Sequence, residues 1–214
     1  MTVSVPNGAL VAIASGYEAA NPITAISNAN GAVVTAANDY AAGDLVEITS
    51  GWAHITNKIF RVASPTANSF VLEGLDTSNV QVFPAGSGIG SVRKITGTTQ
   101  LSQILTTATD GGQQQFFTYQ LLESTMESRI PTVKSAAGLT FSIADDATQP
   151  GYILAGMAND DRLPRAVVVT LPSGSKILYN MYISLNRTPT LTVNQAMACE
   201  VTLSMLAEPV RYAS

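Results

Sequence analysis

Hydrophobic and polar residues alternate along much of the chain, in short runs separated by turn residues. The clearest run is Ala196–Leu206, in which Val201, Leu203 and Met205 alternate with polar side chains such as Thr202. A period of two is typical of a strand that buries one face. The same reasoning predicts strands at Gly8–Ser15, Gln114–Leu121, Gly138–Ile143, Ala166–Leu171 and Lys176–Leu185, the last two joined by a tight turn.

One segment has a helical pattern instead, from Pro150 to Asn159. Its apolar residues Ile153, Leu154 and Met157 recur at helical spacing, and a proline suits an early helical position because it has no amide to satisfy. The preceding Asp146 and Thr148 are candidates to accept hydrogen bonds from amides of the first turn. We expect the apolar stripe to cover one face of a sheet.

The runs are shorter and more regular between Ile23 and Arg93. They predict strands at Ile23–Ile26, Ala32–Thr35, Leu45–Thr49, Ile59–Val62, Phe70–Leu72 and Val80–Phe83. We interpret residues 23–93 as a small all-β module inserted into a discontinuous core domain made of residues 1–22 and 94–214. The glycines of 86–90 mark the return from the module, and residues 106–113 and 123–129 are predicted to be flexible.

The predicted fold class is therefore mainly β (α+β). We expect a β-sandwich or barrel with one flanking helix, together with the small inserted module. Because an insertion at the surface can form its own core, we also expect a chain that lacks residues 24–91 to assemble still.

Composition narrows the possible functions. Hydrophobic residues make up 46% of the chain and charged residues only 12%, about half the usual share. A surface so poor in charge suits burial against other subunits. The net charge of −4 and the scattered lysines and arginines argue against a basic patch that grips nucleic acid.

No motif predicts a catalytic, cofactor or metal site. Residues 86–90 lack the spacing of a dinucleotide loop, and Ser173 with Lys176 lies in a turn rather than at the start of a helix. His54 is the single histidine and Cys199 the single cysteine, so a histidine cluster, a cysteine-based metal site and an intrachain disulfide are excluded. We expect Cys199 to be a small buried apolar residue.

The sequence also predicts no targeting signal. The start Met-Thr-Val-Ser-Val-Pro has no basic region or long apolar core, and no run of about 18 apolar residues occurs. We expect no membrane partner and synthesis in the cytoplasm.

Several segments in order resemble the major tail tube proteins of long-tailed bacteriophages, in the noncontractile branch. They are Leu122–Arg129, Ile130–Ile143, the predicted helix, and the hairpin around Leu171–Gly174. Residues 26–35, 42–48, 57–62 and 66–72 resemble a small β module that recurs in phage structural proteins and is named after a half-domain of ubiquitin-activating enzymes. No catalytic role is implied, because Cys199 lies outside that module.

The resemblance implies a structural protein of the virion tail without enzymatic activity. It implies hexameric rings stacked into a hollow tube, through whose lumen DNA passes without specific binding. The implied partners are further copies of the chain, the tape measure protein, the tail terminator and distal tail proteins. Alternatives are another ring-forming component, such as a tail terminator or tail-completion protein, and more distantly a carbohydrate-binding β module or a small hydrolase.

The polar tract from residue 123 to residue 134 is our candidate for contacts between subunits. It lacks apolar periodicity and carries Glu123, Glu127, Arg129 and Lys134. We expect it to be flexible in the monomer and to become ordered against a neighbouring subunit or ring.

Overall fold

The computed structural model describes residues 7–213, which form sixteen strands and one helix. The strands are β1 Leu10–Tyr17, β2 Asn21–Ile23, β3 Ala25–Ile26, β4 Val33–Thr35, β5 Leu45–Ser50, β6 Lys58–Thr66, β7 Ser69–Leu72, β8 Gly90–Leu101, β9 Ile104–Gly111, β10 Gln114–Tyr119, β11 Ser128–Lys134, β12 Ala137–Ala144, β13 Arg165–Thr170, β14 Lys176–Asn186, β15 Ala198–Met205 and β16 Val210–Tyr212. The helix, α1, is Pro150–Asp161 and lies between β12 and β13.

Fourteen strands belong to one antiparallel sheet. Its order is β3-β4-β7-β6-β5-β8-β1-β13-β14-β15-β12-β9, while β16 pairs with β14 and β2 pairs with β8. The remaining strands, β10 and β11, form a separate two-stranded sheet. The mainly β fold with one helix is therefore confirmed. A closed barrel is not formed, because the end strands β3 and β9 do not pair with each other.

The alternation seen in the sequence produces the larger core. In β15, Cys199, Val201 and Leu203 are buried while the residues between them are exposed. Their cross-strand neighbours in β12 and β14, such as Phe141 and Ile183, belong to the same apolar cluster. Cross-strand apolar pairs on one face stabilise such a sheet. The predicted hairpin of residues 166–185 is also present, as β13 and β14.

The helix covers this core with only part of the apolar stripe that we predicted. Leu154, Ala155 and Ala158 are buried, whereas Ile153 and Met157 are 49% and 57% exposed. Small residues allow the close approach: a Cβ on Gly151 would lie 2.4 Å from the carbonyl oxygen of residue 100 in β8. The helix therefore packs through Leu154 and a stripe of small residues, and leaves Ile153 and Met157 outside.

Both ends of α1 also differ from the prediction. The N-cap is Gln149, without a side-chain cap, and Asp146 instead accepts hydrogen bonds from the amide and hydroxyl of Thr148, in the turn before the helix. The helix continues two residues beyond Asn159, and Arg162 ends it in the left-handed conformation with φ 55°, its amide donating to the carbonyl oxygen of Ala158.

Residues 23–93 surround a second apolar cluster, centred on Trp52 and Phe70. The segment 80–83, predicted as a strand, is a turn in which Phe83 packs edge-on against Trp52 with ring centroids 5.2 Å apart. Gly88, in the stretch predicted as a linker, lies so close to Trp52 and Ile26 that a Cβ would approach both within 3.2 Å. This stretch is therefore packed against the cluster.

Buried polar side chains join this part to the rest of the sheet. The amide of Asn180 in β14 donates to the Glu47 carboxylate at 2.9 Å, and Arg93 donates to the other Glu47 oxygen at 2.6 Å. The side chains of Glu47 and Asn180 are almost fully buried, so these bonds offset the cost of removing them from water. The division into domains 1–22 with 94–214 and 23–93 stays a prediction; residues 1–6 lie outside the described residues.

The C-terminal strand β16 adds a second connection. It pairs with β14, and its Tyr212 hydroxyl accepts from the amide of Arg61 at 2.9 Å and donates to the carbonyl oxygen of Glu73 at 3.1 Å. The Arg61 guanidinium lies 4.6 Å above the Tyr212 ring and pairs with the Glu73 carboxylate. One side chain therefore connects three strands or turns that are far apart in the sequence.

Replacing Tyr212 by phenylalanine should lower the free energy of unfolding by about 1–3 kcal/mol, because it leaves a half-buried amide and carbonyl without a partner. Urea denaturation of the two proteins measures the difference. Tyr182→Phe is the matched control, since this tyrosine is 43% exposed. Equal losses in both variants would contradict the proposed connection.

The turn before α1 gives a pH-dependent prediction. Hydrogen bonds from the side chains of Thr148 and Gln149, and from the Thr148 amide, lower the pKa of Asp146 from 3.8 to about 2. A depressed folded pKa stabilises the protein above the unfolded value, so this contribution is lost as the pH falls from about 4 towards 2. In an NMR titration, Thr148→Val should move the pKa of Asp146 upward, and an unchanged value would refute this explanation.

Candidate intersubunit surfaces

A hairpin projects from the edge of the large sheet. Strands β10 and β11, with the turn between them, continue the β9–β12 pair past a bend, and we call residues 114–134 the arm. Gly111 and Gly112 form the bend with φ 69° and 75°, and a Cβ on Gly111 would lie 1.7 Å from the carbonyl oxygen of Ala136. Only glycine fits there. The segment 106–113 was predicted to be flexible. Residues 106–111 of it instead belong to strand β9.

The arm carries large apolar side chains on both faces, all of them exposed. Phe117 lies opposite Ile130 on one face, and Phe116 lies opposite Pro131 on the other. The exposed fractions of Phe116, Phe117 and Ile130 are 56%, 59% and 50%. None of these residues belongs to an apolar cluster of the body. Exposed apolar surface of this extent marks an interaction site.

The tip of the arm is also apolar. Leu121 and Leu122 follow β10 and are 59% and 102% exposed, and Met126 in the same turn is 76% exposed. Glu123 and Glu127 lie beside them and form no ion pair within the described residues. The tip therefore combines a fully exposed leucine, Leu122, with two carboxylates that form no ion pair within the described residues.

The four residues predicted to contact other subunits all belong to the arm. Glu123 and Glu127 lie at the tip, Arg129 lies in β11 opposite Thr118, and Lys134 ends β11. Lys134 pairs with Glu208 of the body, and this ammonium group lowers the pKa of the Glu208 carboxyl. The role of these four residues at an interface stays a prediction.

The tract from 123 to 134 has more order than expected, because residues 128–134 form a strand. Sequence reasoning also missed the aromatic residues of β10. Its pattern Gln-Gln-Phe-Phe-Thr-Tyr has adjacent aromatic residues, which cannot both face one side of a strand. Adjacent aromatic residues in a short strand were the available indication that both of its faces carry large apolar side chains.

A groove lies at the base of the arm, where it meets the loop after β15. Its volume is about 310 Å³, and we call it the elbow groove. Apolar side chains and glycine dominate its walls, with Lys134 and Glu208 among the lining residues; the others are Gly112, Ser135, Ala136, Ala137, Met205, Leu206, Ala207 and Pro209. A smaller depression of about 210 Å³ shares Glu208 with this groove and also contains Lys58 and His54.

The outward face of strands β9, β12, β15 and the end of β14 is polar and poor in charge. Register places Thr140 between Ala108 and Thr202, and Ser142 between Thr106 and Glu200. Thr202 in turn lies beside Ser184 of β14. We call this surface the hydroxyl face. Glu200 and, at the far end of β9, Asp110 give it negative charge.

Strand β9 is a free edge of the large sheet. It hydrogen-bonds to β12, and no strand pairs with its other side within residues 7–213. It has neither lysine nor proline among its eight residues, the two residue types that commonly prevent edge pairing. The edge is therefore open to another strand.

The side chains considered for chemistry lie apart from one another. Ser173 donates to the Ser175 hydroxyl within the β13–β14 turn, and His54 packs beside Phe83. Cys199 is buried, and burial together with the nearby Asp145 raises the pKa of its thiol. No group of histidine, cysteine and carboxylate side chains is placed to hold a metal within the described residues. None of the described helices is long and apolar enough to span a membrane.

Comparison with known proteins identifies a family for this chain. No curated protein matches the chain. A solved structure, described as the cryo-EM structure of the anti-feeding prophage cap (AFP tube terminating cap), has 14% sequence identity and a TM-score of 0.38, over 54% of this chain and 83% of that chain. The model of the family described as phage tail tube protein, TTP, matches residues 50–214. Since this match covers more than three quarters of the sequence, the chain belongs to the phage tail tube protein family, a family of structural components of the phage tail.

Proposed function

We propose that this protein is the major tail tube subunit of a long-tailed phage with a noncontractile tail. It forms hexameric rings that stack into a tube, and DNA passes through the lumen during delivery to the host. The protein acts by assembly and not by catalysis. The six-fold symmetry is taken from the resemblance of its sequence to major tail tube proteins.

The arm is the observation that carries this proposal. Residues 114–134 expose aromatic and aliphatic side chains on two faces, and none of them belongs to an apolar cluster of their own chain. An isolated two-stranded hairpin is at best marginally stable in water. Burial against a neighbouring copy removes this surface from water, as an obligate interface requires. We therefore assign the arm, with Glu123, Glu127, Arg129 and Lys134, to contacts between subunits.

The free edge of β9 supports ring formation. Its unpaired backbone groups allow a strand of the next subunit to extend the sheet. A contact between two different edges of neighbouring copies is heterologous, and such contacts close into a ring when the rotation allows it. The sheet edge and the arm thus supply separate contacts, one suited to closing a ring and one to joining rings.

The hydroxyl face is the surface best suited to line the lumen. It presents threonine and serine hydroxyls with Glu200 and Asp110, and none of the aligned residues on β9, β12 and β15 is a lysine or arginine. A wall without cations releases no counterions from DNA, so it does not retain the backbone. DNA is therefore expected to move along this surface.

Residues 23–93 are proposed to lie on the outside of the tube, where an insertion does not interrupt the ring or the lumen. They cover the beginning of β14, through Glu47 and Asn180, while the hydroxyl face lies at the end of that strand. Deletion of residues 24–91 would uncover Asn180 and Tyr212, so a fair test of dispensability replaces these two side chains as well. The tape measure protein, the tail terminator and distal tail proteins are the proposed partners in the virion.

A tail terminator or tail-completion protein is the nearest alternative. Such a component closes the end of a tube and needs no element that joins one of its own rings to the next. Electron microscopy of the purified full chain separates the cases: long tubes support the proposal, isolated rings the alternative, and persistent monomers refute both.

Replacing both arm phenylalanines, Phe116→Ser with Phe117→Ser, should abolish tube formation. The free energy of unfolding of the monomer should change by less than about 0.5 kcal/mol, because these side chains are exposed there. Electron microscopy and urea denaturation measure the two effects. Val80→Ser, at a position 52% exposed on another part of the chain, should leave assembly intact.

Hydrogen exchange gives a second measurement on the same arm. Amides between residues 123 and 134 should be better protected in the tube than in the monomer, since burial restricts opening of the hairpin. Tubes formed by the double serine variant, or equal protection in both states, would show that the arm is not an intersubunit contact.

The lumen assignment is tested by adding cations to the hydroxyl face. Glu200→Lys with Thr202→Lys should still give tubes, and these tubes should bind DNA with an affinity that falls as salt is raised. The same two changes at exposed Asp76 and Ser78, Asp76→Lys with Ser78→Lys, are the control on residues 23–93. Tubes whose DNA binding is the same for both pairs would contradict the assignment.

A further inference from the structure

The tip of the arm and the elbow groove are complementary surfaces at opposite ends of the same element. Leu122 is fully exposed at the tip, while the groove is concave, largely apolar and of about 310 Å³. Pockets of this size that are lined mainly by apolar groups are typical binding sites for compact apolar groups. Strand β10 alone spans about 20 Å, so the tip of an arm lies far from the groove at its own base.

We propose that the elbow groove of one copy receives the arm tip of a second copy, with Leu122 as the apolar anchor. This inference rests on the proposed tube and names the contact that joins one ring to the next. The contact is heterologous, because the two complementary patches lie at different places on the same chain. Repetition of such a contact without closure generates an open stack instead of a closed pair.

Charge supports this occupant. The tip carries two carboxylates without partners, Glu123 and Glu127, beside its leucine. The groove and the depression next to it carry two cations, Lys134 and Lys58, with the single anion Glu208 between them. The groove side therefore has a net positive charge that matches the negative tip. Complementary charges at the rim of a contact fix its register and suppress wrong pairings.

The arm is also held in a fixed direction, which makes the docking specific. Lys134 at its base pairs with Glu208, and the bend uses two glycines in conformations that other residues adopt only with strain. Backbone hydrogen bonds across the bend, such as Ser135 N–H to the carbonyl oxygen of Gln113 at 2.8 Å, continue the ladder. A ribbon held in this way presents its tip at a defined distance and angle from the body.

Disulfide or bismaleimide cross-linking tests the contact in assembled tubes. Leu122→Cys with Ala207→Cys in one chain should give a ladder of dimers, trimers and longer multimers, because every copy offers one tip and one groove. Each single variant should give no ladder. The native Cys199 is buried and is present in all the proteins compared. Leu122→Cys with Ile153→Cys is the matched control, since Ile153 is 49% exposed on the outer face of α1.

The outcome separates this inference from the proposed function. Tubes of the Leu122→Cys, Ala207→Cys protein without a ladder, or an equal ladder in the Ile153 control, would overturn the docking site and leave the tube intact. Failure of the wild-type chain to form tubes would overturn the proposed function, and the docking site with it.

Charge reversal provides a second, independent test. Glu127→Lys should raise the protein concentration needed for tube formation about tenfold, and Lys58→Glu in the same chain should restore it. Both effects should weaken at high salt, since exposed charges are screened. A Glu127→Lys defect that Lys58→Glu and, tested separately, Lys134→Glu both fail to reverse would place the tip elsewhere.

Discussion

The arm cannot bury its own apolar side chains, and this constraint connects the fold of one chain to an assembly of many. A two-stranded ribbon has two faces and no third layer, so Phe116 and Phe117 on opposite faces cannot both be covered by the ribbon itself. The body supplies the backbone pairing that starts the ribbon, through β9 and β12, and the Glu208 carboxylate that pairs with Lys134. The apolar surface that the arm still exposes can therefore be buried only against another molecule.

The body satisfies the opposite condition, because its strands are held together by contacts that cross long stretches of sequence. Glu47 is buried only because Arg93 and Asn180 donate to its two oxygens, and the latter belongs to a strand 133 residues away in the chain. Breaking one such bond leaves a buried carboxylate short of a partner, which costs more than the bond contributes when intact. A body fixed in this way keeps the arm, the elbow groove and the β9 edge at constant relative positions, as a regular lattice of subunits needs.

The sequence predicted much of the body and little of the interface, for a physical reason. Alternation of apolar and polar residues in β15 predicts which face is buried, and Pro172-Ser173-Gly174 predicts a turn. Both predictions succeed because they depend only on residues that are close in the sequence. Hydrophobicity at Ile153 and Met157 predicts contact with the core, but the helix packs through Leu154 and smaller residues, and these two side chains face outward. Apolar residues of an interface have the composition of a core, so a single sequence does not separate the two. Glu123, Glu127, Arg129 and Lys134 are the basis on which the sequence predicts an interface at this segment, whereas the phenylalanines beside them form its apolar surface.

The two proposed contacts differ in what determines their specificity. Pairing along β9 uses backbone groups, which are the same for every residue except proline, so it tolerates change in side chains and permits slippage of register. Docking of Leu122 in the elbow groove uses side-chain shape and the charges of Glu123, Glu127, Lys58 and Lys134, so it admits one register. If both operate, the arm sets the rotation of each ring on the next, and that rotation in turn holds the strand edges of neighbouring subunits in one alignment. Side-chain recognition at the tip therefore removes an ambiguity that backbone pairing at the edge leaves open.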